Sequence, residues 1–330
     1  MSELRRIILW NMAAAAVMSL AACAGAQEPA TQHYLFSYFV GNGEDGLHLA
    51  HSTDGYTWRS VRGGRSLLKP EAGRDRLMRD PSIVQGPDGV FHMVWTVSWG
   101  EQSIGYSSSR DLLQWSPQRT LPVMEHEPTA RNCWAPELFY DDQTGRFLIC
   151  WATTIPKRFP ESDGQIRRDD NDPGYDHRLY FVETEDFETF SPAKLFYEPG
   201  FNVIDGVLLK AKGRYALFLK DETDRPFPPQ KNIRIAWSDR AEGPYGPPSE
   251  PITGSYWAEG PTALRVGDKW LVYFDKYTDH RYGVVTSTDL VDWTDESDQL
   301  RTPRGMRHGT AFPVSVEIAE RVLQGSSVGD

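Results

Sequence analysis

Five times along this chain a strand-like stretch ends in a Ser/Thr/Asp-rich turn that closes on an aromatic. The copies are HSTDGYTW (His51 to Trp58), YSSSRDLLQW (Tyr106 to Trp115), ETEDFETF (Glu183 to Phe190), AWSDRAEGPY (Ala236 to Tyr245) and TSTDLVDW (Thr286 to Trp293). The closing aromatics recur at intervals of 57, 75, 55 and 48 residues. Self-similarity at such a period marks a repeat array with one supersecondary unit per repeat. Each copy follows an aromatic-rich strand: HYLFSYFV from His33 in the first, then GVFHMVWT from Gly89, GRFLICWAT from Gly145, GRYALFLK from Gly213 and GDKWLVYF from Gly267. Units of four short strands closed radially are propeller blades. The repeat count predicts an all-β, five-bladed β-propeller.

No stretch has the period of a long amphipathic helix, and no linker divides the body of the chain, so 330 residues are expected to serve one closed domain over residues 33–318. The formal charge of -11 argues against nucleic acid as a partner. Arg5 and Arg6 precede an apolar run from Ile7 to Ala22, short for a membrane span and suited to an export signal. That run ends in Leu20-Ala21-Ala22-Cys23, which resembles a bacterial lipobox. The expectation is a signal over residues 1–22, a tether over 23–32 and attachment to a membrane through a lipidated Cys23. The exported product would then be an outer-membrane or periplasmic lipoprotein. Cleavage after Ala24-Gly25-Ala26 instead would release a soluble periplasmic or secreted protein. Residues 319–330 read as a C-terminal tail. Cys133 and Cys150, the cysteines left in the fold, read as two buried free thiols rather than a bridge.

The chemistry falls on the strands nearest the axis. Four are visible: MRDPSIV around Asp80, WAPELFY from Trp134, VIDGVLLK around Asp205 and EGPTALRV from Glu259. The first repeat has no such strand before His33. The chain ends instead with HGTAFPVSV, His308 to Val316, an inner-strand pattern with no blade after it. That strand is expected to enter the first blade beside His33–Val40 and close the ring, which removes an exposed sheet edge. In this register Asp80, the WAPE segment, Asp205, Glu259 and His308 converge on one mouth of the channel. Each carboxylate alone could be a local turn partner, since each precedes Pro or Gly. Three at equivalent places in three blades point to acid–base work, because crowded carboxylates raise one another's pKa, as a general acid needs while its partner stays ionised.

The ordered motifs RDPSIV, CWAPEL, NVIDGVLLK, WAEGPTAL and RHGTAF resemble glycoside hydrolase family 43 over essentially the whole body of the chain. The family's members are five-bladed propellers that cleave arabinosides, xylosides and galactosides with inversion. The resemblance implies Asp80 as general base, Glu259 as general acid and Asp205 as the carboxylate that tunes the acid and helps hold the sugar. It implies His308 as a channel-centre histidine that contacts a water-bound calcium or sodium ion, with no cofactor required for the chemistry. Glu137 of WAPE is not one of the three catalytic carboxylates. Three features depart from the family pattern: a partial repeat precedes the RDPSIV motif, WAPE has Glu137 where many members have Asp, and the Asp205 motif reads IDGV. The YFVGNGEDGLHLA opening and the HEPTARNCWAPE run resemble a branch of the family close to bacterial arabinofuranosidases and galactofuranosidases.

Loops expected on the active mouth are 41–46, 97–102, 155–177, 221–232 and 277–281. They bring Trp99 and Arg281, and with Trp134 and Trp257 these could stack on or fork to a sugar. Trp95 and Trp151, inside strands, read as blade packing. The long 155–177 loop either walls off a pocket or is a solvated excursion. The leading expectation is therefore an inverting, exo-acting hydrolase that removes arabinofuranose, galactofuranose or galactose from a carbohydrate. The alternatives are β-xylosidase-type activity and a non-catalytic glycan-binding propeller. The retaining levanase group shares Arg79-Asp80-Pro81 but needs an upstream NDPNG-like motif, which is missing here.

Overall fold

A computed structural model describes residues 31–168 and 174–324. The signal, lipobox and most of the tether (1–30), and the end of the tail (325–330), lie outside the described residues.

Five antiparallel sheets make the five blades. From the axis outward, blade 1 is Ala311–Val314, His33–Tyr38, His48–Ser52 and Arg59–Ser60. Blade 2 is Arg79–Gln85, Phe91–Thr96, Ile104–Ser109 and Arg119–Leu121; blade 3 is Trp134–Asp141, Arg146–Thr154, His177–Thr184 and Lys194–Tyr197. Blade 4 is Val203–Ala211, Arg214–Asp221 and Asn232–Ser238, and blade 5 is Glu259–Val266, Lys269–Lys276, Arg281–Ser287 and Thr294–Asp295. The ring closes as the sequence implied, with Ala311–Val314 antiparallel to His33–Tyr38 and Leu35 opposite Phe312.

The repeated turn has a physical basis. In blade 1 the Ser52 hydroxyl accepts from the Asp54 and Gly55 amides, and Asp54 Oδ1 accepts from the Tyr56 and Thr57 amides. Ser109 and Asp111, Thr184 and Asp186, and Ser287 and Asp289 repeat this double cap in blades 2, 3 and 5. Side-chain oxygens thus satisfy the amides of a chain reversal that no ladder reaches. The residue after each Asp is left-handed: Gly55, Leu112, Phe187 and Leu290 have φ of 75°, 62°, 57° and 60°.

Blade 4 corrects the expectation of four strands throughout. There Ser238 is followed by Asp239 and Arg240, so the Asp stands one place early and only the Arg240 amide is capped by Ser238. The segment that follows runs beside the third strand through three bonds, Gly246 N to Trp237 O, Ser249 N to Ile235 O and Ile252 N to Ile233 O. Pro247, Pro248 and Pro251 have no N–H to give, so no outer ladder forms.

Trp95 and Trp151 are fully buried, as expected of blade packing. Trp95 needs Gly105 across from it, since a Cβ there would lie 2.1 Å from its indole. Cys133 and Cys150 are buried free thiols. Residues 316–324 form an amphipathic helix, Val316–Gln324. Its Ile318, Ala319 and Val322 pack with Leu35, Leu47 and Phe312. Its two turns cover apolar surface that a free tail would leave wet.

Candidate active site

The inner strands of blades 2 to 5 share one irregularity near their starts. Pairing jumps from Arg79 to Ser82, Trp134 to Glu137, Ile204 to Val207 and Glu259 to Thr262, a β-bulge in each case. Blade 1 repeats it, with Arg307 opposite Phe39 and Ala311 opposite Phe36. The bulges align the site in three tiers: Arg79, Trp134, Ile204, Glu259 and Arg307 come first, then Asp80, Ala135, Asp205, Gly260 and His308, then Ser82, Glu137, Val207, Thr262 and Thr310. Glu259 therefore stands one place before Asp80 and Asp205, in a tier with two arginines. The three carboxylates are thus not at equivalent places, contrary to the expectation from their motifs.

Four second-tier residues are left-handed, with φ of 53° at Asp80, 45° at Ala135, 56° at Asp205 and 57° at Gly260. Asp tolerates this region better than most side chains. The bulge amides bond across blades, Ala135 N–H to Thr96 Oγ1 and Gly260 N–H to Asp205 Oδ2, each 2.8 Å. Gly260 is also required sterically, because a Cβ there would lie 2.3 Å from His308 Cγ.

A cavity of about 290 Å³ opens at this mouth and takes residues from all five blades, among them Asp80, Trp99, Trp134, Asp205, Glu259 and His308. Trp99 and Trp134 meet edge to face at 5.3 Å, and the Arg79 guanidinium lies 4.3 Å from the Trp99 ring centre. Trp257 and Arg281 do not line it. Trp257 packs on Tyr277 at 5.8 Å, and Arg281 is exposed with Asp279 at 3.9 Å. A larger cleft of about 770 Å³, bordered by Arg131, Phe159 and Asp163, shares no residue with the carboxylate cavity.

Asp80 accepts from the Thr96 hydroxyl at 2.8 Å and sits 3.3 Å from His308 Nδ1. Burial would push its carboxyl up, but the bond and charge of His308 outweigh that and hold it down to about 2. His308 resists its own desolvation because Asp205 and Asp80 face it, and it is raised to about 9. Burial with nearby Glu259 and Asp80 pushes Asp205 up to about 6, against the pull of His308 and Lys220. Buried Glu137 rises to about 7 and lies 3.4 Å from the Thr310 hydroxyl.

Glu259 goes the other way. Its burial is opposed by Lys220 at 3.1 Å and Arg307 at 3.0 Å, and these cations hold its carboxyl below the usual value. Each cation has a carboxylate of its own as well: Lys220 pairs with Glu222 at 2.5 Å and Arg307 with Asp275 at 2.6 Å. The expectation that crowding raises Glu259 does not hold in this arrangement, and the raised groups are Asp205, Asp275 and Glu137. Lys220, Glu222, Asp275, Tyr277 and Arg307 were not singled out from sequence. Arg307, beside His308, is the one whose position could have been found by aligning the bulges.

The fit of a calcium or sodium ion rests on His308. Paired with Asp80 and raised to about 9, the ring is protonated at neutral pH and offers a cation no lone pair. Among the described residues no three His, Cys, Asp or Glu side chains are grouped to hold a metal. The ring therefore does not suit direct ligation of a cation; the expected contact is through water, and no chemical step is routed through an ion.

The chain is a five-bladed ring with acidic, basic and aromatic groups at one mouth. The family profile described as "Probable glycosyl hydrolase domain", related to glycoside hydrolase family 43, matches residues 29–320, and the chain belongs to that family. It is 20% identical over 187 residues to an alpha-L-arabinofuranosidase of Bifidobacterium longum subsp. longum, covering 51% of this chain and 17% of that protein. Among solved structures it is similar to an alpha-L-arabinofuranosidase from Lactobacillus brevis (TM-score 0.51, 20% identity, 67% of this chain and 72% of that one). It is also similar to one from Clostridium thermocellum (TM-score 0.53, 13% identity, 78% of this chain and 86% of that one). At these identities the structural likeness establishes the fold.

Proposed function

We propose that this protein is an inverting glycoside hydrolase that removes a terminal arabinofuranose, galactofuranose or galactose from a carbohydrate chain. The observation that carries this is that two carboxylates in unlike settings line one cavity. Asp80 is held ionised by His308 and Thr96, as a general base needs, and Glu259 stands one tier away between two cations. Asp80 takes a proton from water as that water attacks the anomeric carbon, and Glu259 gives a proton to the departing oxygen.

Glu259 must be protonated to do so. A sugar that separates it from Lys220 leaves Lys220 with Glu222, and Glu259 with its burial cost less compensated, so the carboxyl rises. Asp205, bonded to the Gly260 amide, supports the acid through its own charge and proton. The α-L-arabinofuranosidases among its relatives support arabinofuranose as the first sugar to test. The Lys220 and Arg307 contacts to Glu259 favour a second reading, a glycan-binding propeller whose carboxylates only hold hydroxyls.

A panel of 4-nitrophenyl glycosides in furanose and pyranose forms separates the two. Turnover of at least one, abolished by Asp80→Asn, supports the hydrolase. Turnover of none, with polysaccharide binding intact, supports the binding propeller. We also propose export with lipidation at Cys23; palmitate labelling that survives Cys23→Ala would refute the lipid.

A further inference from the structure

Arg79, Lys220, Arg307 and protonated His308 all line the carboxylate cavity, and three of them are already matched. His308 faces Asp80 at 3.3 Å, Lys220 faces Glu222 at 2.5 Å and Glu259 at 3.1 Å, and Arg307 faces Asp275 at 2.6 Å and Glu259 at 3.0 Å. Arg79 is the exception. Among the described residues its guanidinium makes one hydrogen bond, from Nη1 to the Asn42 side-chain carbonyl at 3.0 Å, and no ion pair. A guanidinium carries five N–H donors in one rigid plane. Those of Nε and Nη2, which share an edge of that plane, have no partner in the protein and are not shut away from solvent.

Local structure holds this open edge in place. Arg79 starts the inner strand of blade 2, one residue before Asp80. Its guanidinium carbon lies 4.3 Å from the Trp99 ring centre and 4.7 Å from that of Phe39. Asn42 is itself oriented, because its Nδ2 donates to Glu44 Oε1 at 2.9 Å. The loop closes on the arginine stem at Gly43, where a Cβ would lie 2.9 Å from Arg79 Cγ. The Met78 amide ties that loop down by bonding to the Gly43 carbonyl at 2.9 Å. Such prior ordering lowers the entropy cost of binding.

The chemistry left open suits an anion. A neutral sugar pressed on this edge would strip water from an unpaired charge and return only hydroxyl acceptors. A carboxylate brings two oxygens in one plane, which match the fork and neutralise it. The chain's net charge of -11 opposes anions at long range, but salt screens that field beyond about 10 Å, so the contact decides.

We infer that Arg79 seats a carboxylate of the substrate, so that the carbohydrate on which this protein acts is acidic and carries a uronic acid within reach of the cleaved bond. The inference rests on the hydrolase reading above for calling that carbohydrate a substrate. The carboxylate seat itself is tested by binding alone.

The test measures binding of D-galacturonate and D-galactose by calorimetry at pH 7 and fixed ionic strength. The two sugars differ only at carbon 6, a carboxylate against a hydroxymethyl group. The parent should bind galacturonate about tenfold more tightly or better, as a charge-assisted pair provides. Arg79→Gln, first shown to melt cooperatively, should lose that preference. Should Arg79→Gln not fold, Arg79→Lys, which lacks the fork, takes its place and should lose most of the preference. Equal affinities in the parent, or a preference that survives in the variant, overturn the carboxylate seat. A parent that prefers galacturonate but turns over no aryl glycoside keeps the seat and overturns the hydrolase reading.

Discussion

His308 Nδ1 lies 3.3 Å from Asp80 Oδ1, and the two come from opposite ends of the chain. His308 belongs to the segment that closes the ring, and Asp80 to the first complete blade. The segment that closes the propeller thus also holds the charge of Asp80, the proposed base. With its charge near Asp80 removed, as in His308→Gln, the carboxyl should rise from about 2, and the acidic limb of kcat/KM should move to higher pH. An unmoved acidic limb would show that another group is the base.

The same pair sets a stability window. His308 is raised from its ordinary value to about 9, so its contribution is complete below about 6.5 and is lost as pH rises through 9. Asp80 is lowered, so its contribution is present above its ordinary value and is lost as pH falls toward 2. The melting temperature should therefore fall between pH 6.5 and 9, and fall less steeply in His308→Gln. Parallel curves for the two proteins would contradict the pairing.

Lys220→Met should raise the Glu259 carboxyl, because the cation that lowers it most is lost and the burial cost remains. If Glu259 is the acid, the basic limb of kcat/KM moves to higher pH, whatever the change in rate. A basic limb that stays fixed would remove Glu259 from that role.

Gly260→Ala tests the packing of the second tier. The added carbon would lie 2.3 Å from His308 Cγ at a φ of 57°. Gly213→Ala is the matched control, with a φ of 73° and open space around it. Both should lose the roughly 1–2 kcal/mol of left-handed strain, but only Gly260→Ala should also lose activity, by tenfold or more. Equal activities would mean that His308 is not held where the structure has it.

Much of the ring was legible in the sequence because its signals are local. The Ser-x-Asp double cap needs only a few adjacent residues, so it recurs visibly wherever a blade turns outward, and it fades at Ser238-Asp239-Arg240 where the outer strand also fails. The closing strand was legible because HGTAFPVSV carries an inner-strand pattern with no blade to follow. The electrostatics of Glu259 were not. Lys220 lies near the end of one strand and Arg307 precedes another, and only the bulge register brings both to the same carboxylate. Arg281 was expected at the mouth from loop membership and Trp257 from its place just before Glu259, neither of which fixes where a side chain goes.

Truncation tests closure itself. Removing residues from His308 onward would strip His33–Tyr38 of its inner partner and uncover Leu35, which packs with Phe312 and Val322. Lost ladder bonds and lost packing together should leave an insoluble or uncooperative chain. A soluble product that melts at the parent temperature would refute the closure.

The most direct test of the hydrolase is the configuration of the sugar first released, followed by proton NMR before mutarotation sets in. Water attacking from the Asp80 side while Glu259 protonates the leaving group must give the anomer opposite to the substrate's. Inversion in the parent, with Asp80→Asn inactive on aryl and sugar leaving groups alike, is the predicted result. Retained configuration would contradict it, since one of these carboxylates would then have to attack the anomeric carbon itself.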